Sequence, residues 1–474
     1  MTRCAALVLA ALATSLAPAR TQGPPGFDVE TVVTGLDLAC AFAFAPDGRL
    51  FVLERGPGRV RVVENGVLGG VWANPSTTLG VGEGGLLGIA IDPDFLTTPY
   101  VYLYYTRQAA GRWEAVIERW LESNGVGTNP TLIGPTMLAS GRHCGGPLVF
   151  GRDGTLFAVT GEGGLDPLAQ SLAHPNGKVL RLLVPSGAAP LDNPFVSVAG
   201  ASPWIWAYGI RNSYGLAVHP LTGELYETEN SAGGGDELNR IVRGGNHGWP
   251  MYDGFEPVPD PSTVDPLWTR RPDPAFTGAA FVTGALFPAT LRGALIAGAY
   301  NDGGLYAFDI DPQTATVRSQ SIFDTWGSTF GLADGPDGAL YALAHPTRFE
   351  RGADRIVRYV PQNLPSPALQ IAAVSNQSLG GSLTFGVITD PGDIAFAWVS
   401  PTLLPQPVPT PFGTLLVPVV LPLPAAVANA DRRAFIALSL PDDPNLRGVT
   451  IHAQVAAIAG ANVRIGSSAS FVLW

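Results

Sequence analysis

One histidine in this sequence has neighbours suited to acid–base chemistry. His143 lies in the glycine-rich segment Gly141–Gly146, where the missing side chains on both sides would let a ligand approach the backbone. Glu162 follows within Gly161–Gly164, which closes the hairpin that begins after His143. A carboxylate in this position could return to the imidazole and orient it as a general base. The alternative is a purely structural histidine.

A second cluster combines a cation, an amide and oxygen ligands. Arg211 and Asn212 precede a predicted strand and would supply a fixed charge and an amide to a polar ligand. Further along, a loop of small residues over Ser231–Gly235 ends in the adjacent carboxylates Asp236 and Glu237. Backbone carbonyls and acidic oxygens are the ligands that a hard cation such as Ca²⁺ prefers. The loop predicts a calcium site, with a solvated turn as the alternative.

These residues need a scaffold, and one short phrase recurs along the chain. An apolar strand, a turn rich in Pro, Asp and Gly, and a second alternating strand return six times, about 40 to 70 residues apart. The copies lie at 42–52, 89–104, 148–159, 216–226, 291–296 and 332–343. One sheet per repeat is typical of a propeller, whose sheets close into a ring around a channel. We predict an all-β, six-bladed β-propeller over residues 27–360, with an open meander as the alternative.

The repeat stops after Tyr359. A stiff connector with three prolines spans 361–367, and alternating runs such as 382–387 and 449–457 follow it. These runs carry one histidine and no polar cluster. We therefore predict a C-terminal β-sandwich accessory domain over residues 368–474 and assign no chemistry to it.

The first 19 residues are predicted to be a signal peptide. They combine a basic start, an apolar run and the small residues Ala17–Ala19. The apolar run is too short to cross a membrane, and the apolar segment 415–426 is interrupted by prolines, so no membrane span is predicted. The mature protein is expected to be secreted or periplasmic. Cys40 and Cys144 would then meet oxidising conditions, and whether they pair depends on the distance between their Cα atoms.

The composition argues against a nucleic-acid binder. The net charge is −11, and the 28 basic residues include a single lysine, Lys178. Phosphate backbones need a basic surface, which this chain lacks. Hydrophobic residues make up 46% of the chain and charged residues only 14%, which is ample material for a core. Cations and small neutral molecules are the expected partners.

Five short sequence motifs resemble those of the soluble quinoprotein sugar dehydrogenases, also called the glucose/sorbosone dehydrogenase family. In family order they are Gly82–Gly88, His143–Gly146, Arg211–Leu216, Gly235–Asn239 and Gly245–Pro250. The resemblance implies a six-bladed propeller that binds pyrroloquinoline quinone (PQQ) and Ca²⁺ at the mouth of its channel. It also implies oxidation of an aldose sugar or related alcohol, with an external electron acceptor.

The same resemblance implies roles for individual residues. His143 would take the proton of the sugar hydroxyl while hydride passes to the quinone, and Glu162 would orient it where the family usually has aspartate. Arg211 would face the substrate and a quinone oxygen, and Asn212 would face the cofactor. Glu83 stands where the family has a polar residue that contacts the sugar. The candidate sugar contacts are therefore Glu83 and Arg142.

The resemblance also implies two calcium sites. The carbonyls of Ser231 and Ala232 would replace the family's usual Gly-Pro pair as ligands of the Ca²⁺ beside the cofactor. Glu237 and the backbone around His247 resemble the second, structural site, with histidine in place of the usual tyrosine.

The sequence departs from the family at the residues that bind the carboxylates of PQQ. The family neutralises them with a lysine on the fifth blade and arginines on the sixth, whereas the matching stretches Ala299–Leu305 and Ser328–Leu332 hold no cation. Burying a carboxylate without a paired charge costs on the order of several kcal/mol. Another cation would have to replace this clamp, and the candidates are Arg270, Arg271, Arg348 and Arg351.

Two other functions stay open on the same scaffold. The missing cations favour a non-catalytic, Ca²⁺-stabilised propeller that binds carbohydrate or protein. A Ca²⁺-dependent lactonase would need no quinone. Neither Gly-x-Ser-x-Gly nor His-Glu-x-x-His occurs in the sequence, so serine-hydrolase and zincin chemistry have no support.

Overall fold

The computed structural model describes residues 20–472, except 65, 76–81, 284–286, 289, 312, 347–349, 363–367, 372–381, 390–391, 411–412, 429–432, 440–448 and 460–461. The predicted signal peptide, most of the proline connector and Arg348 lie outside the described residues. In the described part of the chain, no helix is long and apolar enough to cross a membrane.

The described backbone is almost entirely β, as the sequence predicts, with one short 3₁₀ helix over Asp166–Ala169. The strands are numbered in chain order and begin with β1 (Arg20–Gln22) and β2 (Phe27–Leu36). The first sheet contains β3 (Ala39–Phe44), β4 (Leu50–Glu54), β5 (Arg59–Glu64) and β6 (Val67–Ala73). The second contains β7 (Leu86–Ile91), β8 (Tyr100–Ala109), β9 (Arg112–Ser123) and β10 (Val126–Leu138). The third contains β11 (Gly145–Phe150), β12 (Leu156–Thr160), β13 (Lys178–Leu182) and β14 (Ile205–Tyr208).

Three further sheets follow the same pattern. The fourth contains β15 (Ser213–Val218), β16 (Leu225–Glu229), β17 (Asp236–Ile241) and β18 (Trp268–Arg270). The fifth contains β19 (Phe276–Phe281), β20 (Leu295–Ala299), β21 (Gly304–Ile310) and β22 (Val317–Thr325). The sixth contains β23 (Thr329–Asp334), β24 (Leu340–Ala344) and β25 (Asp354–Pro361), and β2 and β1 complete it.

The first strands of these sheets form a closed circuit. Each packs against the first strand of the next sheet, in the order β3, β7, β11, β15, β19 and β23, and β23 packs against β3. The N-terminal strand β2 pairs antiparallel with β25, so the two ends of the circuit share one sheet. Closure of this kind leaves few sheet edges exposed, and the fold is β-propeller-like.

The repeated turn explains how each sheet starts. In the first copy, Ala45 and Gly48 close the turn between β3 and β4, because the Gly48 N–H donates to the Ala45 carbonyl at 2.9 Å. Gly48 has φ +89°, a left-handed conformation that favours glycine. The second strand β4 is buried along its whole length, and Phe51 and Leu53 pack into a core shared with the second sheet. Hydrophobic cores therefore lie between successive sheets.

The hairpin register fixes which loops share one end of the ring. Ala39 pairs with Glu54 in the first sheet and Gly145 with Thr160 in the third, so a first strand begins where a second strand ends. We call this the upper end. Residues just before a first strand, such as His143, and just after a second strand, such as Glu162, therefore meet there.

The chain after residue 367 forms separate sheets. Their strands are β26 (Ala368–Ile371), β27 (Ser382–Ile388), β28 (Ile394–Ser400), β29 (Val408–Thr410), β30 (Gly413–Leu415), β31 (Leu421–Pro422), β32 (Ala426–Val427), β33 (Arg433–Ser439), β34 (Thr450–Ala459) and β35 (Asn462–Val472). Strand β27 pairs with β26 and β33, whereas β28 pairs with β34. Val387, Ile436 and Val455 from both sheets share one core. The accessory β-sandwich domain stays a prediction.

Candidate active site

A cavity of about 560 Å³ lies at the upper end of the ring, within the roughly 300–1,000 Å³ typical of small-molecule sites. All six first strands contribute to its wall, through Phe42, Ile89, Leu148, Leu216, Thr277 and Leu332 among others. The candidates from the sequence that line it are Glu83, His143, Arg211, Asn212 and Ser231. Residues spread over some 150 positions of the chain thus surround one small space.

His143 and Glu162 form the predicted pair. The Nδ1 atom of His143 contacts Oε1 of Glu162, and the two residues are 6% and 0% exposed. An ionised carboxylate only accepts hydrogen bonds, so Nδ1 must carry the hydrogen that it donates. The other ring nitrogen, Nε2, then keeps a lone pair. Because His143 lines the cavity, this lone pair can act as a base there.

The surroundings of Glu162 keep it ionised. Burial alone would raise the pKa of its carboxyl, but the hydrogen bond and charge of His143 and the Gly164 N–H outweigh burial and hold the pKa below the usual 4.5. The second oxygen, Oε2, accepts the N–H groups of Gly164 and Leu165. Glu162 is therefore a fixed anion behind the imidazole.

Backbone contacts place this pair at the cavity. His143 has φ +49°, a left-handed conformation that is uncommon for a residue with a side chain. Gly163 donates its N–H to the His143 carbonyl at 3.0 Å. A Cβ on Gly161 would lie 1.9 Å from the same carbonyl oxygen, so no other residue type fits there without movement. These glycines bring two segments of backbone together, whereas the sequence suggested room for a ligand.

Glu83 connects the second, third and fourth sheets. Its Oε2 accepts the His143 backbone N–H at 2.6 Å and the Asn212 side-chain amide at 3.1 Å. Asn212 Oδ1 in turn accepts the Gly145 N–H at 3.5 Å. Glu83 and Asn212 therefore form one network at the cavity wall that also holds the backbone of His143 and Gly145.

Arg211 lies beside this network with an unused donor. Its Nη1 donates to the Asn230 carbonyl at 2.7 Å, and its guanidinium lies 5.1 Å from the centroid of the Trp249 ring. Its Nε is buried and has no hydrogen-bond partner among the described residues. The Arg211 carbonyl accepts the N–H of Glu162 at 3.0 Å. Arg211 is thus tied to the histidine pair and keeps a donor for a ligand.

The first calcium candidates are backbone carbonyls. Ser231 donates its N–H to Asp236 at 2.9 Å, and Ala232 donates its N–H to the Asp253 carboxylate at 3.2 Å. Neither the Ser231 carbonyl nor the Ala232 carbonyl accepts a hydrogen bond within the described part of the chain. Only Ser231 lines the cavity. The two carbonyl oxygens are free to bind a cation.

The second calcium candidates are deeply buried. Glu237 accepts the Gly254 N–H at 2.7 Å and the Asn239 amide at 2.9 Å, and burial raises its pKa to about 7. Both ring nitrogens of His247 lack partners among the described residues, and burial lowers its pKa to about 4. No group of three or more His, Cys, Asp or Glu side chains among the described residues is arranged to hold a metal.

Comparison with known proteins identifies the family. The family model described as Glucose / Sorbosone dehydrogenase matches residues 36–350. This chain belongs to that family. It is 31% identical over 373 residues to the aldose sugar dehydrogenase YliI of Escherichia coli, a match that covers 73% of this chain and 96% of the relative. It is also 31% identical over 261 residues to quinoprotein glucose dehydrogenase B of Acinetobacter calcoaceticus, covering 48% and 54% of the two chains.

A solved structure supports the assignment of the fold. The PQQ-bound form of aldose sugar dehydrogenase from Streptomyces coelicolor superposes with a TM-score of 0.61 at 27% identity, covering 71% of this chain and 99% of that one. The family resemblance inferred from the five sequence motifs is therefore confirmed.

Not every residue that the sequence predicts for the site of this family member lies at the cavity. Arg142 is exposed and outside its wall, and Ala232, Glu237 and His247 are outside it as well. Cys40 and Cys144 form no disulfide. Cys40 donates its thiol to the Leu86 carbonyl at 3.0 Å.

The described arginines proposed to replace the family's clamp also lie elsewhere. Arg270 stacks 5.1 Å from the Tyr306 ring, Arg271 donates to the Gly234 carbonyl at 2.6 Å, and Arg351 pairs with Asp37 at 2.7 Å. None of the three lines the cavity.

The sequence analysis missed several residues of this region. Arg55 and Asn230 line the cavity, each directly after a second strand, and their position in the repeat was the available signal. Glu227 and Glu229 lie two residues apart on β16, and burial raises the pKa of both, to about 7 for Glu227. Glu229 accepts the Arg211 backbone N–H. Their spacing already placed them on one face of the strand.

Proposed function

We propose that this family member is a secreted sugar dehydrogenase that uses PQQ and Ca²⁺, with His143 as its general base. The main support is the imidazole of His143, held by Glu162 at the wall of a cavity that Arg211 also lines. Membership of the glucose/sorbosone dehydrogenase family supports the reaction class. The PQQ-bound state of the relative from Streptomyces coelicolor supports the cofactor.

In this mechanism His143 moves the proton. Its Nε2 accepts the proton of the sugar hydroxyl that is oxidised, and Glu162 compensates the positive charge that forms on the ring. PQQ, held by Arg211 and Asn212, would supply the acceptor for the hydride of the sugar carbon, and Ca²⁺, held by the carbonyls of Ser231 and Ala232, would supply a Lewis acid that polarises the quinone. An external electron acceptor then completes the turnover.

The neighbouring side chains orient the reactants. Arg211 would donate from its unpartnered Nε to an oxygen of the substrate or quinone. Asn212 would hold the cofactor, and Glu83, which already fixes the His143 backbone, would accept a sugar hydroxyl at its remaining oxygen. The exposed Arg142 would contact the sugar at the rim of the cavity.

The residues present fit the two groups at this side of the cavity. Arg211 Nε and Asn230 Oδ1 are a buried donor and a buried acceptor without partners among the described residues, and both residues line the cavity. The free carbonyls of Ser231 and Ala232 suit Ca²⁺, which prefers oxygen ligands. Glu237 and the backbone of His247 are proposed as the second calcium site.

The finer architecture belongs to the same proposal. The six sheets over residues 27–360 would be the blades of a propeller, and residues 368–474 would be a β-sandwich that docks or spaces the enzyme. Cleavage of a signal peptide over residues 1–19 would release the protein outside the cytoplasm.

Calorimetric titration of the purified mature protein with PQQ in Ca²⁺ buffer tests the function. We expect saturable binding, a quinone absorbance in the complex, and reduction of an artificial dye when an aldose is added. The matched control is the same titration after chelation of Ca²⁺, which should weaken PQQ binding. Absence of PQQ binding in Ca²⁺ buffer would refute the proposal.

The lack of cations in the fifth- and sixth-sheet wall favours one competing function. Within the described residues, that wall offers Tyr300, Asn301 and Phe330 and no basic side chain. A binding propeller would therefore take up saccharide or protein tightly without reducing the dye. Hydrolysis of a lactone without added quinone would instead identify a Ca²⁺-dependent lactonase.

A further inference from the structure

Two guanidinium groups line the cavity from opposite sides of the ring. Arg55 follows the second strand of the first sheet, and Arg211 precedes the first strand of the fourth. Among the described residues, neither has a carboxylate within ion-pair distance. Two cations that form no ion pair within the described part of the chain therefore face the same cavity.

Three acidic side chains line the cavity, Glu83, Asp236 and Asp273, and none of them forms an ion pair with Arg55 among the described residues. Glu83 accepts the His143 backbone N–H and the Asn212 amide. Asp236 accepts the N–H groups of Ser231 at 2.9 Å and Phe276 at 3.2 Å. These carboxylates hold backbone segments in place, so the positive charge of Arg55 is available to a ligand.

Only one nitrogen of the Arg55 guanidinium, Nη1, is hydrogen-bonded among the described residues. Its Nη1 donates to the carbonyls of Gly82 at 2.8 Å and Gly84 at 3.3 Å, on either side of Glu83. Its backbone N–H donates to the Leu38 carbonyl at 3.0 Å. The described residues provide no acceptor for Nε or Nη2. A guanidinium fixed in this way can still donate two parallel hydrogen bonds to a carboxylate.

Ring order places Arg55 next to the sixth-sheet wall, whose described lining residues include no cation. The first sheet packs against the sixth through β3 and β23, and a Cβ on Gly331 would lie 3.1 Å from the Phe42 ring. Phe330, Gly331 and Arg55 line the same cavity. Arg55 is therefore on the sheet adjacent to the stretch where the family's arginines are missing.

We propose that Arg55 is the carboxylate-binding residue of this cavity and takes over the role of the missing fifth- and sixth-sheet cations. A flat aromatic carboxylate would lie between Arg55 and Arg211, with a carboxylate paired to Arg55. The proposal concerns an anion subsite, and its application to PQQ rests on the proposed function.

The test compares two variants that lose the same charge at the same end of the ring. Arg55→Met removes the proposed ligand, whereas Arg351→Met removes an exposed arginine that pairs with Asp37 outside the cavity. Calorimetry with PQQ should show affinity weakened about 10- to 100-fold in Arg55→Met, as expected for loss of a charged hydrogen bond. Arg351→Met should bind within about twofold of the wild type. Equal affinity of Arg55→Met and the wild type would overturn the proposal.

A second probe separates this proposal from the function. Benzene-1,3,5-tricarboxylate is a rigid aromatic tricarboxylate without redox chemistry, and its binding should also depend on Arg55. Arg55-dependent binding of this probe without any PQQ binding would uphold the subsite and refute the dehydrogenase. PQQ binding and dye reduction that survive in Arg55→Met would uphold the dehydrogenase and refute the subsite. Failure of both anions to bind the wild type would refute both proposals.

Folding of the variant is checked separately. Arg55→Lys keeps a charge and should recover part of the affinity lost in Arg55→Met. Both variants should keep the circular-dichroism spectrum of the wild type. If Arg55→Met misfolds, Arg55→Lys becomes the decisive variant, because a lysine lacks the two parallel donors of a guanidinium. Wild-type affinity in Arg55→Lys would then overturn the proposal.

Discussion

Two histidine–carboxylate pairs lie at the upper end of the ring, on opposite sides of it. The third sheet carries His143 with Glu162, and the sixth carries His345 with Asp354, whose Nδ1 and Oδ1 atoms are 2.9 Å apart. His345 and Asp354 are 5% and 0% exposed, much like the first pair. Asp354 also accepts the Ala39 N–H at 2.9 Å. The two pairs contain the same groups, but only the first is hydrogen-bonded, because Asp354 Oδ1 has no hydrogen-bond partner among the described residues.

The two pairs also differ in what separates each imidazole from the cavity. His143 lines the cavity, whereas Phe330 lines it in front of His345, with ring centroids 4.6 Å apart. The Nε2 atom of His345 is buried and has no partner among the described residues. A histidine–carboxylate pair is therefore a candidate site only where the backbone places the imidazole at the cavity surface. Behind an apolar side chain such as Phe330, the same pair has no access to a ligand.

The largest effect is expected from His143→Ala. Loss of the base should lower dye-reduction turnover by about 10²- to 10⁴-fold, with an unchanged circular-dichroism spectrum. Steady-state kinetics at saturating sugar and PQQ measure it. Turnover within threefold of the wild type would remove His143 as the base.

Glu162→Gln should have a smaller effect of the same kind. The amide keeps the shape of the side chain but removes the charge that compensates the protonated imidazole, so turnover should fall by about 10- to 100-fold. Binding of PQQ should stay within about twofold of the wild type. An unchanged turnover would show that the contact with His143 has no catalytic role.

The same variant also tests the pKa of Glu162. Because the folded state holds this pKa below 4.5, the unfolded chain binds more protons as the pH falls through that range. The stabilisation is present above pH 4.5 and is lost in acid. Urea unfolding between pH 3 and 6 should therefore show that Glu162→Gln loses less unfolding free energy in acid than the wild type does. Parallel curves for the two proteins would contradict the assignment.

His345→Ala should affect stability and leave the chemistry intact. Removal of the imidazole leaves Asp354 buried with one partner fewer, which costs about 1–3 kcal/mol of unfolding free energy. Turnover should stay within about twofold because His345 does not line the cavity. A loss comparable with that of His143→Ala would make the two pairs functionally equivalent and break the comparison.

The smallest effect is expected at Lys178, which binds the loop that follows Glu162, and it concerns the pH dependence of stability. The Nζ of Lys178 donates to the carbonyls of Leu168, Ala169 and Asn176 at 2.6 to 2.9 Å, and burial lowers its pKa to about 7. Between this value and 10.5 the unfolded chain holds a proton that the folded chain releases, so stability should rise with pH.

Lys178→Met should remove this slope. Thermal unfolding of both proteins between pH 7 and 9 measures it, and the variant should show the flatter curve. A wild-type stability that falls over this interval relative to Lys178→Met would contradict the direction of the shift.

Local patterns predicted much of the fold and part of the site. A left-handed glycine occupies the matching turn in five of the six sheets, at Gly48, Gly154, Gly223, Gly293 and Gly338, so the all-β repeat is visible in the sequence. His143 and Glu162 were paired correctly because they belong to one hairpin. His345 was overlooked because no glycines flank it, and Arg55 because nothing in its local sequence distinguishes it from other arginines.

The amino-acid sequence alone determined the repeated strand and turn, the family, the histidine with its carboxylate, and the missing cations of the last two sheets. The tertiary structure decided which polar side chains share the cavity. Glu83 meets His143 across 60 positions and Asn212 across 129. These contacts exist only once the second, third and fourth sheets pack side by side, because packing brings their loops to one end. No local sequence pattern specifies which loops will be neighbours.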